Sequence, residues 1–189
     1  MKVRDSGMPE QTYWESLFDV EGMLDEMCVD PQTGDVAELG CGYGTFTLPT
    51  ALRINGTLHA FDIEAEMIAL TRARAANAGV GNIRLELRDV VADGFGLPAA
   101  SVDAVLLFNI LHLENPLNLL RQAALIVRPG GRVVAIHWRS DVATPRGPAL
   151  PVRPRPEQIA EWASAVGLAP APARLLPPWH FGIALTKAA

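Results

Sequence analysis

Asp35-Val36-Ala37-Glu38-Leu39-Gly40-Cys41-Gly42-Tyr43-Gly44 is the stretch on which the fold turns. Asp35 to Leu39 reads as a short strand and runs directly into three glycines at alternate positions. Thr45 to Ile54 then has helical character, with Pro49 in its first turns. Glycine admits positive φ and lets a ligand come close to the backbone. The following helix offers free N–H groups and a partial positive charge. Two details turn away from a dinucleotide turn. The GxGxxG pattern puts Gly or Ala at position 45, where this chain has Thr45, and the third glycine comes one residue early, at Gly44. Glu38 also stands two residues ahead of Gly40. Its negative charge repels a pyrophosphate but suits a ligand with positive charge.

Outward from this unit the pattern alternates. Thr57 to Phe61, Ile83 to Leu87, Val102 to Phe108 and Arg132 to Trp138 read as strands. Val102 to Phe108 is apolar enough for a strand buried on both faces. Glu64 to Ala78, stopped by Gly79, and Pro116 to Val127 read as the intervening helices, with Asp93 to Ala100 as loop. On the N-terminal side, Met8 to Cys28 reads as one amphipathic helix. After an irregular proline-rich segment, Pro156 to Val166 is a helix. Ala173 to Leu176 and His180 to Thr186 are strands joined by Pro177-Pro178, too tight a link for a helical crossover, so the last strand is predicted to run antiparallel. The expected fold class is α/β, a Rossmann-like doubly wound sheet of seven strands with helices on both faces.

Three further motifs fall at the ends of predicted strands. Asp62 lies 22 residues after Gly40, the distance expected for an acid that grips ribose hydroxyls. Arg88-Asp89-Val90 follows the third strand, and Asp103 to His112 runs through the fourth strand into Asn109-Ile110-Leu111-His112. Arg128-Pro129-Gly130-Gly131 precedes the fifth. In this order the motifs resemble those of class I S-adenosylmethionine (SAM)-dependent methyltransferases over residues 34 to 138, and His137-Trp138-Arg139, Thr144-Pro145-Arg146-Gly147-Pro148 and Arg153-Pro154-Arg155-Pro156 resemble stretches of their type 11 branch. The resemblance implies SAM as cofactor and S-adenosylhomocysteine (SAH) as product. It implies a cofactor set of Glu38, Gly40, Cys41, Gly42, Asp62, Ile63, Met67, Asp89, Val90, Phe108 and Asn109, with Asp89 toward the adenine amino group and Asn109 toward the ammonium end. Asn109-Ile110-Leu111-His112 departs from the Pro-Pro-aromatic motif of DNA and glutamine N-methyltransferases.

The acceptor side is read from what remains. Tyr13 and Trp14 belong to the N-terminal helix, expected to act as a lid. His137 and Trp138 end the fifth strand, and His137 and His112 are candidate bases for an O–H or S–H acceptor. His180 is a candidate structural histidine. From Arg121 to Arg155 there are seven arginines and one acid, Asp141, which reads either as a solvated loop region or as a rim that attracts an anionic acceptor. The net charge of −5 gives no broad basic face for DNA. No apolar run is long enough to span a bilayer, the first ten residues have no signal-peptide core, and Cys28 and Cys41 form no CxxC pair. A cytoplasmic monomer or homodimer without a metal is expected. So is one domain over residues 1–189: a lid over 1–30, a SAM-binding core over 34–138 and a substrate side over 139–189. The leading functional expectation is in-line methyl transfer to a small molecule. Methylation of a protein or rRNA, and a non-catalytic SAM-binding regulator, stay open.

Overall fold

The structure is a computed structural model and describes residues 9–189. Met8, where the expected N-terminal helix begins, lies outside the described residues. In chain order the elements are α1 (Gln11–Glu15), α2 (Val20–Glu26), β1 (Val36–Leu39), α3 (Thr47–Arg53), β2 (Leu58–Asp62), α4 (Ala65–Asn77), β3 (Ile83–Leu87) and α5 (Val90–Asp93). There follow β4 (Val102–Phe108), α6 (Pro116–Ile126), β5 (Val127–Trp138), a 3₁₀ turn (Leu150–Val152), α7 (Pro156–Ala165), β6 (Leu168–Pro170), β7 (Arg174–Leu176) and β8 (His180–Lys187).

The strands form one sheet in the order β3-β2-β1-β4-β5-β8-β6, with β7 also paired to β8. Strands β3, β2, β1, β4 and β5 are parallel. Strand β8 is antiparallel to β5 and also to β7, to which the tight Pro177-Pro178 link joins it. Chain order reverses beside β1, between β2 and β4, which opens a crevice at the carboxyl ends of these strands.

Successive residues of a strand point to opposite faces, and the two cores follow that rule. Ala37, Leu39, Val105, Leu107, Val133 and Ala135 pack on one face with α6 and α7 through Leu119, Leu120, Ala123, Ile159 and Ala163. Val36, Ala104, Leu106, Val134 and Ile136 pack on the other with Met23, Leu24, Ala51 and Ile68. Helices therefore cover both faces. Among the described residues no helix is long and apolar enough to cross a membrane.

Three expectations need correction. The N-terminal segment is two short helices rather than one. The Asp19 carboxylate accepts the Gly22 amide at 3.2 Å and caps a new helix start at Val20, while Leu17 turns into the core. The sheet has eight strands rather than seven. Residues 168–170 and 174–176 pair in succession with the same side of β8, so they behave as one broken edge. Pro170 and Pro172 supply no N–H, which confines such a segment to an edge and hides it in a sequence reading. Finally, Arg128 to Gly131 lie inside β5 as an excursion: Val102 pairs with Val127, yet Ala104 pairs with Arg132.

Candidate active site

The glycine loop follows β1 with Gly40, Gly42 and Gly44 at φ +81°, +51° and +79°, where a side chain strains the backbone. Its amides turn inward. Gly40 N and Cys41 N both donate to the Phe61 carbonyl, at 2.8 and 3.1 Å. Gly42 N donates to Asp62 Oδ2 at 2.9 Å, and the Thr71 hydroxyl donates to Gly42 O at 2.7 Å. These three N–H groups are satisfied within the protein and do not form a phosphate cradle.

Unsatisfied acceptors stand beside the loop instead. Glu38, in β1, is 2% exposed, and its Oε2 has no hydrogen-bond partner among the described residues. Burial pushes its carboxyl up to about 8 against the nearby Thr47 hydroxyl, which favours the charged form, and the neighbouring Asp62 charge adds to the rise. Asn109, just beyond β4, has a buried Oδ1 in the same condition. Its φ of +56° is a conformation Asn tolerates better than most residues, and its amide is held by Ile136 O at 2.7 Å. Strands β1 and β4 are neighbours in the sheet, so two buried acceptors without donors stand at one sheet edge. Each is costly to leave unmet. Asp62, at the end of β2, accepts Gly42 N and also Glu64 N at 2.9 Å. A carboxylate offers about four lone-pair sites, so Asp62 keeps room for a further donor. Burial raises the Asp62 carboxyl above its usual range, against hydrogen bonds from the Glu64, Gly42 and Ile63 amides.

Around this centre Met67 is buried, Ile63 exposed, and Phe108 half-buried. Phe108 stacks edge-on against Phe46, with ring centres 4.9 Å apart. Cys41 is buried, and burial pushes its thiol up, away from reactivity. Asp89 caps α5 by accepting Ala92 N at 3.1 Å, and Val90 is buried beneath it. Ile110 lies over Gly40: a Cβ placed there would meet its Cδ1 at 3.6 Å.

The substrate-side residues separate by depth. His137 and Trp138 are buried, at 0% and 1% exposure, whereas His112 is half-buried. The two histidines meet at 3.3 Å, Nδ1 of His112 to Nε2 of His137. Burial pulls the His137 imidazole down to about 3 and lowers that of His112, so both are neutral at neutral pH. Trp138 packs on His180 with ring centres 4.1 Å apart. Phe18, which the sequence offers with Tyr13 and Trp14 as an aromatic of the expected lid, is the hub of this region. Its ring lies 4.9 Å from Trp14, 5.3 Å from Phe46, 5.8 Å from Trp138 and 4.8 Å from His180. Tyr13 is exposed. The N-terminal segment is tied down over the glycine loop where Tyr43 Oη donates to Pro9 O at 2.8 Å and Arg74 pairs with Glu15 at 2.7 Å. Two of the loop arginines are engaged internally. Arg139 forms a two-pronged pair with Asp141, and Arg153 donates to the carbonyls of Pro148, Arg139 and Arg146.

Residues 36–131, about half of the chain, match the family described as a methyltransferase domain. This chain belongs to the class I SAM-dependent methyltransferases. The chain is 34% identical over 108 residues to aklanonic acid methyltransferase of Streptomyces sp. (strain C5), a match that covers 55% of this chain and 48% of that protein. It is 39% identical over 106 residues to ribosomal protein L11 methyltransferase of Methylococcus capsulatus, covering 56% of this chain and 33% of the relative. The matched region thus spans less than half the length of either relative. In fold it is similar to a SAM-dependent methyltransferase from Aquifex aeolicus, with a TM-score of 0.80, 20% identity and 93% of each chain covered.

Proposed function

We propose that this chain transfers a methyl group from SAM to a small organic acceptor. The observation that carries the cofactor site is the pair of buried, donor-less oxygens, Glu38 Oε2 and Asn109 Oδ1, beside Asp62. An ammonium group brings the donors that these oxygens lack, and a ribose diol brings an O–H donor to Asp62. Bound there, SAM supplies a methyl group on a sulfonium that is already a good leaving group. Ile63 and Met67, with Asp89 and Val90 beyond them, flank the adenosine end. The loop Gly40-Cys41-Gly42 and Phe108 enclose the middle. The chain's remaining work is to orient an in-line attack and exclude water.

The acceptor side is then the ground between His112 and the aromatic group of Trp14, Phe18 and Trp138. The aromatic rings there, with the Arg153 guanidinium over Trp138, support a small organic acceptor, as does the similarity to aklanonic acid methyltransferase. In this reading the whole of residues 1–189 is one methyltransferase domain, with the segment up to residue 30 as its cover and residues 139–189 as its substrate side. A protein acceptor is the second reading, supported by the similarity to ribosomal protein L11 methyltransferase.

Calorimetry with SAM and SAH in EDTA tests the cofactor site, and absence of heat with both ligands overturns it. Methyl transfer from radiolabelled SAM to small aromatic hydroxy compounds and to purified ribosomal proteins, run in parallel, then separates the two acceptor classes.

A further inference from the structure

The backbone decides which ring nitrogens carry protons in the His112–His137 pair. His137 Nδ1 lies 3.1 Å from the Trp138 carbonyl oxygen. A carbonyl only accepts, so His137 must hold its proton on Nδ1 and donate it there. A neutral imidazole has one N–H, which leaves His137 Nε2 as an acceptor. Its partner at 3.3 Å is His112 Nδ1, which must therefore be the donor. The neutral His112 ring is then bare at Nε2. Each step follows from the one before, starting from a carbonyl oxygen that cannot change roles.

We infer that His112 Nε2 is the base that takes the acceptor's proton, and that His137 is a positioning residue that holds His112 in the Nδ1–H tautomer. This rests on the methyltransferase reading above. As the acceptor oxygen or sulfur bonds to the methyl carbon, the carbon–sulfur bond of the sulfonium breaks. Its electron pair stays on that sulfur, and the acceptor's proton passes to His112 Nε2. The imidazolium so formed keeps its Nδ1–H on His137 and later releases the new proton to solvent.

The surroundings fit the role. His112 is half-buried and stands in the Asn109-to-His112 segment whose Ile110 covers Gly40, whereas His137 is sealed in the sheet. The charged and titratable groups that act on the pair are Arg153, whose positive charge disfavours protonation of both rings, and His180 beside His137.

Ring-nitrogen NMR of the full chain with ¹⁵N-labelled histidine tests the tautomers. Both His112 and His137 should report Nδ1–H, and His137→Phe, which keeps a ring there, should return His112 to a tautomer mixture. His112 protonated on Nε2 in the parent chain overturns the relay. A diethyl pyrocarbonate footprint read by peptide mass spectrometry tests the position. The reagent should acylate His112 and spare His137, and SAH should slow the labelling of His112. If calorimetry registers SAH while His112 labelling is unchanged, the base assignment falls and the cofactor site stands. If no heat appears, the methyltransferase reading falls first and takes this inference with it.

Discussion

Asp62 Oδ2 accepts the amide of Gly42 at 2.9 Å, across 20 residues of chain, and so ties the end of β2 to the middle of the glycine loop. One carboxylate thereby shapes the loop and, in the proposed reading, also receives the ribose. Asp62→Ala should weaken SAH binding by about 1.5–3 kcal/mol, the scale of hydrogen bonds to a charged group, and should also speed amide exchange at Gly42. Calorimetry and hydrogen exchange on the folded variant read the two effects separately. Parent-like affinity with intact folding counts against the ribose role.

Binding of a cationic ligand should expel a proton from Glu38. The carboxyl is held at about 8 by burial, so near neutral pH it is mostly protonated, and an ammonium partner favours the charged form. The calorimetric heat of SAH binding at pH 7 should vary with the ionisation heat of the buffer, and Glu38→Gln should abolish that variation. Buffer-independent heat in the parent chain would remove Glu38 from the ligand's ammonium.

The unliganded chain should be most stable near pH 6.5. Glu38 is raised from 4.5 to about 8, so its contribution is complete below 4.5 and is lost as pH rises through 8. His137 and His180 are lowered from 6.5 to about 3 by burial. Their contribution is present above 6.5 and is lost as pH falls toward 3. Below 6.5 two histidines outweigh one carboxyl. A melting-temperature profile should therefore fall on both sides, and Glu38→Gln should flatten the alkaline limb alone.

Phe18 joins the N-terminal segment to Phe46, Trp138 and His180 at once. If this segment covers the cofactor, SAM should slow hydrogen exchange across residues 9–20, and Phe18→Ala should erase the protection. Unchanged exchange leaves the ring with a packing role only. Trp138, by contrast, is fully buried, and Trp138→Ala should cost about 3–5 kcal/mol of stability, measured by denaturant unfolding.

Once an acceptor is in hand, His112→Ala should lower kcat/KM by about 10²–10⁴-fold, the usual worth of general acid–base catalysis, with SAH affinity unchanged. A deficit of similar size in both binding and turnover would place His112 in the cofactor site instead.

The parallel half of the fold was legible because its signals are local. A buried apolar run marks β4, Gly79 stops α4, and alternate glycines mark the turn after β1. The break between α1 and α2 was not legible, because Asp19 can cap or continue a helix and only the burial of Leu17 decides. Strand β6 was hidden by Pro170, a residue that argues against strands everywhere except at edges. In the candidate site, Glu38 and Asp62 stood out by position and spacing and Asn109 by resemblance, and Phe18 was legible as an aromatic of the N-terminal segment, but its partners were not, since they lie on four separate segments. The relative depth of His112 and His137 depends on the β5–β8 pairing, which covers His137 with Phe181, and no local pattern carries that.

The proline-broken edge of the sheet has a consequence for the behaviour of many copies in solution. A long, regular edge strand is a template for pairing with another chain and hence for aggregation. Here one end of the sheet closes with β6 and β7, where Pro170 and Pro172 remove donors from a ladder that a neighbour would need. The other end, β3, is five residues long and carries exposed Arg84 and Glu86. An incoming strand would have to bring these charges out of water. Both borders of the sheet thus resist growth by different chemistry, and replacing Pro170 and Pro172 together by Val should make the chain prone to self-association while leaving the cofactor site untouched.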